Sequence, residues 1–329
     1  MSLYPWLQNE WQDLISRAKQ QRLPHGLLLL GPEGLGKMNF AENFAKFSLC
    51  KHSASLEQAC GDCVSCHLWD VGNHPDILIV RPLEKSKHIT IDQVRGIHQF
   101  LTLTPHLGKQ KIVIVSPAHL MNRAAANSLL KSLEEPPADT LILLSTHKPS
   151  ALLPTVRSRC QPLTFVLPRG DLFQSWLQQQ LPEKTASECQ VLLALANGAP
   201  LVALAFVQQE IFQQREAFFN ALIDLRGHKS SVIDTAQVAL KIGLEGSLYW
   251  MSSWVIDLVR LKFAPQPPMI NNPDLIEPLR TIARQCSVQA LLQVYQKLIS
   301  AQACQASNPN PLLLIEDVLL SFAAIGNHS

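Results

Sequence analysis

The chain has 329 residues, 47% of them hydrophobic and only 16% charged, which excludes a disordered protein and leaves ample apolar surface for a core. A formal net charge of +2 gives no strong field of the kind that marks an autonomous nucleic-acid binder. No apolar run approaches the roughly 20 residues of a membrane-spanning helix, and Met1–Gln20 lacks a signal-peptide pattern, so a soluble, cytoplasmic protein is expected.

From Gly26 to about Phe165, short apolar runs alternate with amphipathic stretches, the pattern of an α/β domain with a mostly parallel sheet. Leu27–Leu30 predicts a buried strand and Met38–Leu49 a helix. Ile77–Val80, Lys111–Val115 and Thr140–Leu144 predict three further strands. A helix over roughly Arg123–Leu133 is stopped by Pro136-Pro137, which cannot continue it. Beyond Pro168-Arg169-Gly170 the strand signals fade, and Asp171–Gly198 reads as two or three short helices. The remainder from about Pro200 reads as helical, with Leu291, Leu292, Tyr295, Leu298 and Ile299 on one face and a loop at Pro265–Pro268. The chain thus divides into an α/β domain over 1–166, a small helical domain over 167–206 and a larger helical domain over 207–329.

Gly31-Pro32-Glu33-Gly34-Leu35-Gly36-Lys37-Met38 follows a strand and opens a helix, the context that a phosphate-binding loop requires. Glycines let backbone N–H groups surround phosphates, and Lys37 is placed to reach their oxygens. The pattern wants Ser or Thr after the lysine, because that hydroxyl ligates Mg²⁺; Met38 is a poor ligand for a hard cation. A metal-holding acid is also expected after a later strand, but Lys111–Val115 runs into Ser116-Pro117-Ala118-His119. His119 offers a base, although a lone histidine near a turn is more often structural. The corner therefore reads as a retired ATPase site, with nucleotide binding at Gly31, Gly34, Gly36 and Lys37 left open and Mg²⁺-dependent hydrolysis not expected.

Cys50, Cys60, Cys63 and Cys66 supply four soft ligands within seventeen residues, and Gly61-Asp62 suits the turn between two of them. Cys-x₂-Cys spacing presents two thiolates to one ion, so a metal site is expected. The spacing admits structural zinc or an iron–sulfur cluster, with His67 and His74 as neighbouring alternative ligands. Cys160, Cys189, Cys286 and Cys304 are scattered and read as small apolar packing residues.

Ala124-Ala125-Ala126-Asn127-Ser128-Leu129-Leu130-Lys131-Ser132-Leu133-Glu134-Glu135-Pro136-Pro137 resembles a hallmark of the bacterial clamp-loader AAA+ family. Pro154-Thr155-Val156-Arg157-Ser158-Arg159-Cys160 is similar to that family's Ser-Arg-Cys segment. The opening Tyr4-Pro5-Trp6-Leu7, the two absent metal-holding positions and the helical remainder narrow the resemblance to a non-hydrolysing member. The resemblance implies an AAA+ P-loop domain with a zinc-binding insertion at 50–66, a small helical lid and an all-α collar. It selects structural zinc held by Cys50, Cys60, Cys63 and Cys66. It implies a pentameric assembly with gamma or tau motor subunits and a delta subunit, which places the β sliding clamp on primed DNA. Within that assembly the family's Ser-Arg-Cys arginine reaches a neighbour's ATP as an arginine finger. Arg159 matches it, and Arg157 is less suited to the role.

Leu129, Leu130 and Leu133 at i, i+1 and i+4 read as ordinary core contacts, whereas the resemblance implies that Lys131, Glu134 and Glu135 face a neighbouring subunit, the alternative being a solvated charged face. A Gly-Ser-x-Arg pattern in active members corresponds to Gly198-Ala199-Pro200-Leu201, and Leu201 cannot contact a nucleotide as an arginine does. Asn308-Pro309-Asn310-Pro311 and Leu312–Ile315 resemble the final collar helix. The competing readings are an active ATP-hydrolysing gamma/tau-like motor subunit, opposed by Met38 and Ser116–His119, and a zinc-bearing DNA-binding protein without an ATPase partner, opposed by the low charge.

Overall fold

The computed structural model describes residues 3–83, 86–107, 109–167, 172–208, 211–304 and 310–325. The expected break at Pro168-Arg169-Gly170 and the residues Asn308 and Pro309 lie outside them. The chain forms two compact units, Met1–Leu172 and Phe173–Ser329.

In the first unit, a 3₁₀ turn at Pro5–Leu7 leads through α1 (Gln8–Lys19) to β1 (Gly26–Leu30) and α2 (Lys37–Leu49). There follow α3 (Val64–Asp70), β2 (Ile77–Val80), α4 (Ile91–Thr102), β3 (Lys111–Val115) and α5 (Arg123–Glu134). β4 (Thr140–Thr146), α6 (Pro154–Arg157) and β5 (Gln161–Thr164) complete it. The five strands form one parallel sheet in the order β2-β3-β4-β1-β5. Leu28, Val113, Val115, Ile142 and Leu144 join residues of α4 and α5 in one core. The alternate residues Leu27, Leu29, Ile112, Ile114, Leu141 and Leu143 are equally buried, which is why these strands read as unbroken apolar runs. Trp11 of α1 packs edge-on against Phe40, Phe44 and Phe47 of α2.

Local chemistry sets the helix ends. Asn122 accepts the Ala125 N–H at 2.8 Å and starts α5, and Thr90 with Gln93 forms a capping box that starts α4. At the sheet edge, Asp76 and Lys111 form an ion pair at 3.1 Å with both side chains buried. Asp76 also accepts the N–H groups of His106 and Leu107 at 2.8 and 2.9 Å.

The second unit is helical: α7 (Leu172–Gln180), α8 (Ala186–Leu195) and α9 (Pro200–Gln208) come first. α10 (Ile211–Arg226), α11 (Val232–Ile242), α12 (Leu244–Phe263), α13 (Ile276–Gln285), α14 (Val288–Cys304) and α15 (Pro311–Ala323) follow. Leu177, Cys189, Leu192 and Ala203 form a small cluster of their own. A larger core gathers Phe218, Trp254, Leu258, Leu291, Leu298 and Phe322. The buried Asp257 carboxylate accepts the N–H groups of Asn271 and Asn272 and the Asn272 amide, which pins the loop after α12.

Leu292 and Ile299 depart from the sequence expectation: they are 47% and 48% exposed, whereas Leu291 and Leu298 are fully buried. One residue along a helix is a rotation of about 100°, and only the Leu291–Leu298 row faces the core. Cys160, Cys189 and Cys286 are buried as expected, but Cys304 is exposed. No single helix among the described residues is long and apolar enough to cross a membrane.

Candidate functional site: a phosphate-loop corner, a four-cysteine cluster and an arginine at the opposite sheet edge

Gly31–Lys37 leaves the carboxyl end of β1, the side of an open α/β sheet where ligands bind. A Cβ on Gly31 would lie 2.5 Å from the Phe165 carbonyl oxygen, so only glycine fits between the ends of β1 and β5. Gly36 caps α2 in the left-handed region at φ 85°. The Trp6 indole donates to the Leu35 carbonyl at 2.9 Å and stacks on Tyr4, with ring centroids 4.9 Å apart. The Tyr4–Leu7 segment is thereby fastened to the loop.

Lys37 does not project outward. Its buried ammonium donates to the carbonyl oxygens of Gly31 and Pro32 at 2.7 and 2.5 Å. Burial lowers its pKa to about 8, an effect that Glu33 opposes. The lysine expected to meet phosphate is therefore bonded to its own loop.

Ser116–His119 leaves the carboxyl end of β3 and Thr146 ends β4, so the sheet order brings both next to the β1 corner. His119 Nδ1 lies 2.9 Å from Thr146 Oγ1, and its ring meets that of His147 edge-on at 4.4 Å. His147 Nε2 lies 3.6 Å from Glu33 Oε2. Burial, with His147 and Lys148 nearby, lowers the His119 pKa to about 4 and holds its ring neutral. Reading along the sequence picked out His119 alone. Thr146, His147 and Glu33 are far from it in the chain, and only the crossover order of the sheet gathers them.

Arg159 lies elsewhere. It precedes β5, which runs parallel to β1 with Gln161 opposite Leu27, and a Cβ on Gly26 would lie 3.4 Å from its carbonyl oxygen. It therefore sits at the amino edge of the sheet, while Gly31–Lys37 occupies the carboxyl edge, about 16 Å away at ~3.3 Å per residue of strand. Its guanidinium pairs with Glu134 at 2.8 Å and donates to the Thr155 carbonyl at 3.0 Å. Cys160 is buried against Gly26. Leu129 and Leu133 are buried and Leu130 is half-buried, whereas Lys131, Glu134 and Glu135 are exposed. Leu201 lies in the first turn of α9.

The Sγ atoms of Cys50, Cys60, Cys63 and Cys66 all lie within 4.8 Å of one another, and those of Cys60 and Cys66 are 3.9 Å apart. A tetrahedral ion with S ligands at ~2.3 Å spaces them about 3.8 Å apart, while a disulfide needs ~2.05 Å. The donor set therefore fits one metal ion. A multi-iron cluster distributes its cysteines over separate irons and fits sulfurs this close less well. His52 and Cys60 donate backbone N–H groups to Cys50 Sγ, each at 3.4 Å. A hydrogen bond from the His52 side chain, aided by the Asp62 backbone, lowers the Cys60 thiol to about 5, while burial pushes Cys66 up to about 12. His74 is not among the ligands: it lies 2.9 Å from Ser65 Oγ, which donates to the Leu49 carbonyl. Trp11 donates to the Glu57 carbonyl at 3.0 Å and ties the cysteine insertion to α1.

A phosphate-loop corner on this parallel sheet and a four-cysteine insertion define a P-loop α/β protein with a helical second unit. A sequence model described as "DNA polymerase III, delta subunit" matches residues 6–168, and one described as "DNA polymerase III, delta subunit, C terminal" matches residues 209–324. The chain is 36% identical to DNA polymerase III subunit delta' of Pseudomonas aeruginosa, over 98% of each chain. It is 31% identical to the subunit of that name from Escherichia coli, over 97% of this chain and 95% of the other, and 30% identical to that of Yersinia pestis, over 98% and 96%. The chain belongs to the DNA polymerase III delta' family.

Proposed function

We propose that this chain is a non-hydrolysing, stator-like subunit of the DNA polymerase III clamp loader, and that it completes a neighbouring gamma or tau subunit's ATP site with Arg159. One observation carries the reading: Arg159 stands at the sheet edge opposite the chain's own phosphate loop. Any phosphate it touches must belong to another chain. A guanidinium is always charged and fork-shaped, so it bridges phosphate oxygens as charge develops on them.

The chain's own corner supports the non-hydrolysing half. Met38 stands where a hydroxyl would ligate Mg²⁺, and a His119–Thr146 contact stands where a metal-holding acid is needed. Cys50, Cys60, Cys63 and Cys66 would hold one structural zinc ion, since four thiolates close the coordination shell and leave no position for a substrate. In this reading residues 1–166 form the AAA+ domain, 167–206 the lid and 207–329 the collar that joins gamma or tau and delta subunits. The assembly then places the β clamp on primer-template DNA.

The reading is tested by clamp loading with the reconstituted assembly, with and without this chain, and by ATP turnover of the isolated chain. It predicts that loading needs the chain and that the chain alone turns over no ATP. Loading without it, or turnover by it alone, contradicts the reading.

A further inference from the structure

The pairing of Arg159 has a chemistry of its own. Glu134 Oε1 lies 2.8 Å from Arg159 Nη2, while Nη1 faces the Thr155 carbonyl at 3.0 Å and Ser158 Oγ at 3.4 Å. A guanidinium has five N–H donors, and these contacts engage three of them, leaving two among the described residues for a further acceptor. The three acceptors come from rigid places: the last residue of α5, the body of α6 and the residue just after it. A long side chain otherwise free to sample many rotamers is thus held in one direction before any phosphate arrives. The contact with the carboxylate is charge-assisted, and Arg159 also places positive charge at the carboxyl end of α5, where a helix favours it.

We propose that Glu134 is a positioning residue for Arg159, fixing the orientation of its guanidinium at the amino edge of the sheet so that the two remaining donors meet the phosphate of the neighbouring chain. This rests on the reading of Arg159 given above and adds to it a residue that itself touches no nucleotide. The opposite role is a distinct prediction: a carboxylate that merely competes with phosphate for the arginine would slow the reaction, and its removal would speed it.

The test is single-turnover ATP hydrolysis by the reconstituted assembly, with Glu134→Ala, Glu134→Gln, Arg159→Ala and the Glu134→Ala/Arg159→Ala double variant in this chain. Thermal melting and gel filtration first establish that each variant assembles. Glu134→Gln keeps an acceptor in place and serves if the alanine variant does not assemble. Glu134→Ala is expected to lower the hydrolysis rate about three- to tenfold at unchanged KM for ATP, because a finger acts in the transition state. Glu134→Gln is expected to lose less, and Glu134→Ala added to Arg159→Ala to lose nothing more. An unchanged or faster rate in Glu134→Ala while Arg159→Ala is slow overturns the positioning role alone, as do losses that multiply in the double variant. If Arg159→Ala is itself without effect, the finger and the positioning role both fall.

Discussion

The His119 imidazole meets the Thr146 hydroxyl at 2.9 Å, across the carboxyl ends of β3 and β4. In a hydrolysing P-loop site this is where an acid holds Mg²⁺ and helps to orient water. A neutral ring and a hydroxyl do neither. Restoring a single missing part should therefore not restore the reaction: Met38→Thr is expected to leave the isolated chain without ATP turnover in a phosphate-release assay. Turnover in that variant would show that only the hydroxyl was lacking.

His119 also makes stability depend on pH. Its folded pKa, about 4, lies below the ~6.5 of an unfolded histidine, so between those values the unfolded chain binds more protons. The stability from keeping this ring neutral is fully present above about pH 6.5 and is lost as pH falls toward 4. His119→Asn should flatten that part of the pH profile in urea unfolding. A profile that keeps its slope would contradict the assignment.

Asp76 and Lys111 are buried together at the sheet edge. Burial alone would raise the Asp76 pKa, but the N–H groups of His106 and Leu107 and the Lys111 ammonium outweigh it and hold the carboxyl below its usual range. Its stabilising contribution is thus present above about pH 4 and lost in more acidic solution. Asp76→Ala strands the Lys111 charge and should cost about 3 kcal/mol, read from the urea midpoint. A cost under ~1 kcal/mol would mean that the lysine finds enough compensation in the Pro75 carbonyl and the Phe100 ring.

The purified protein should be colourless and contain one equivalent of zinc by elemental analysis. Cys66→Ser should lose the ion and lower the melting temperature, since metal binding is folding free energy for such an insertion. A brown protein containing iron would replace zinc with an iron–sulfur assignment.

β1, β3 and β4 were legible because burial on both faces writes an unbroken run of Leu, Ile and Val; β2 is an equally apolar run, although Ile79 on this edge strand is exposed. β5 was not, because Gln161-Pro162-Leu163-Thr164 has neither alternation nor propensity; pairing with β1 at the sheet edge makes it a strand, and there Pro162 is tolerated. The cysteine cluster was legible from local spacing, and the structure closes it without surprise. The direction of Lys37 was not, since glycine spacing is the same whether the loop cradles phosphate or its carbonyls turn inward to the lysine. The Glu134–Arg159 pair joins two segments that sequence reading singled out separately, and only the fold at the amino edge of the sheet shows that they touch.

In the proposed assembly this chain supplies Arg159 to a site it does not own. This is tested most directly by DNA- and clamp-stimulated ATP hydrolysis of the fully assembled loader with Arg159→Ala in this chain alone. The ATP site facing this chain is expected to slow by ~10³-fold or more while assembly is intact. Hydrolysis at the wild-type rate in every site would contradict it and leave the chain a scaffold.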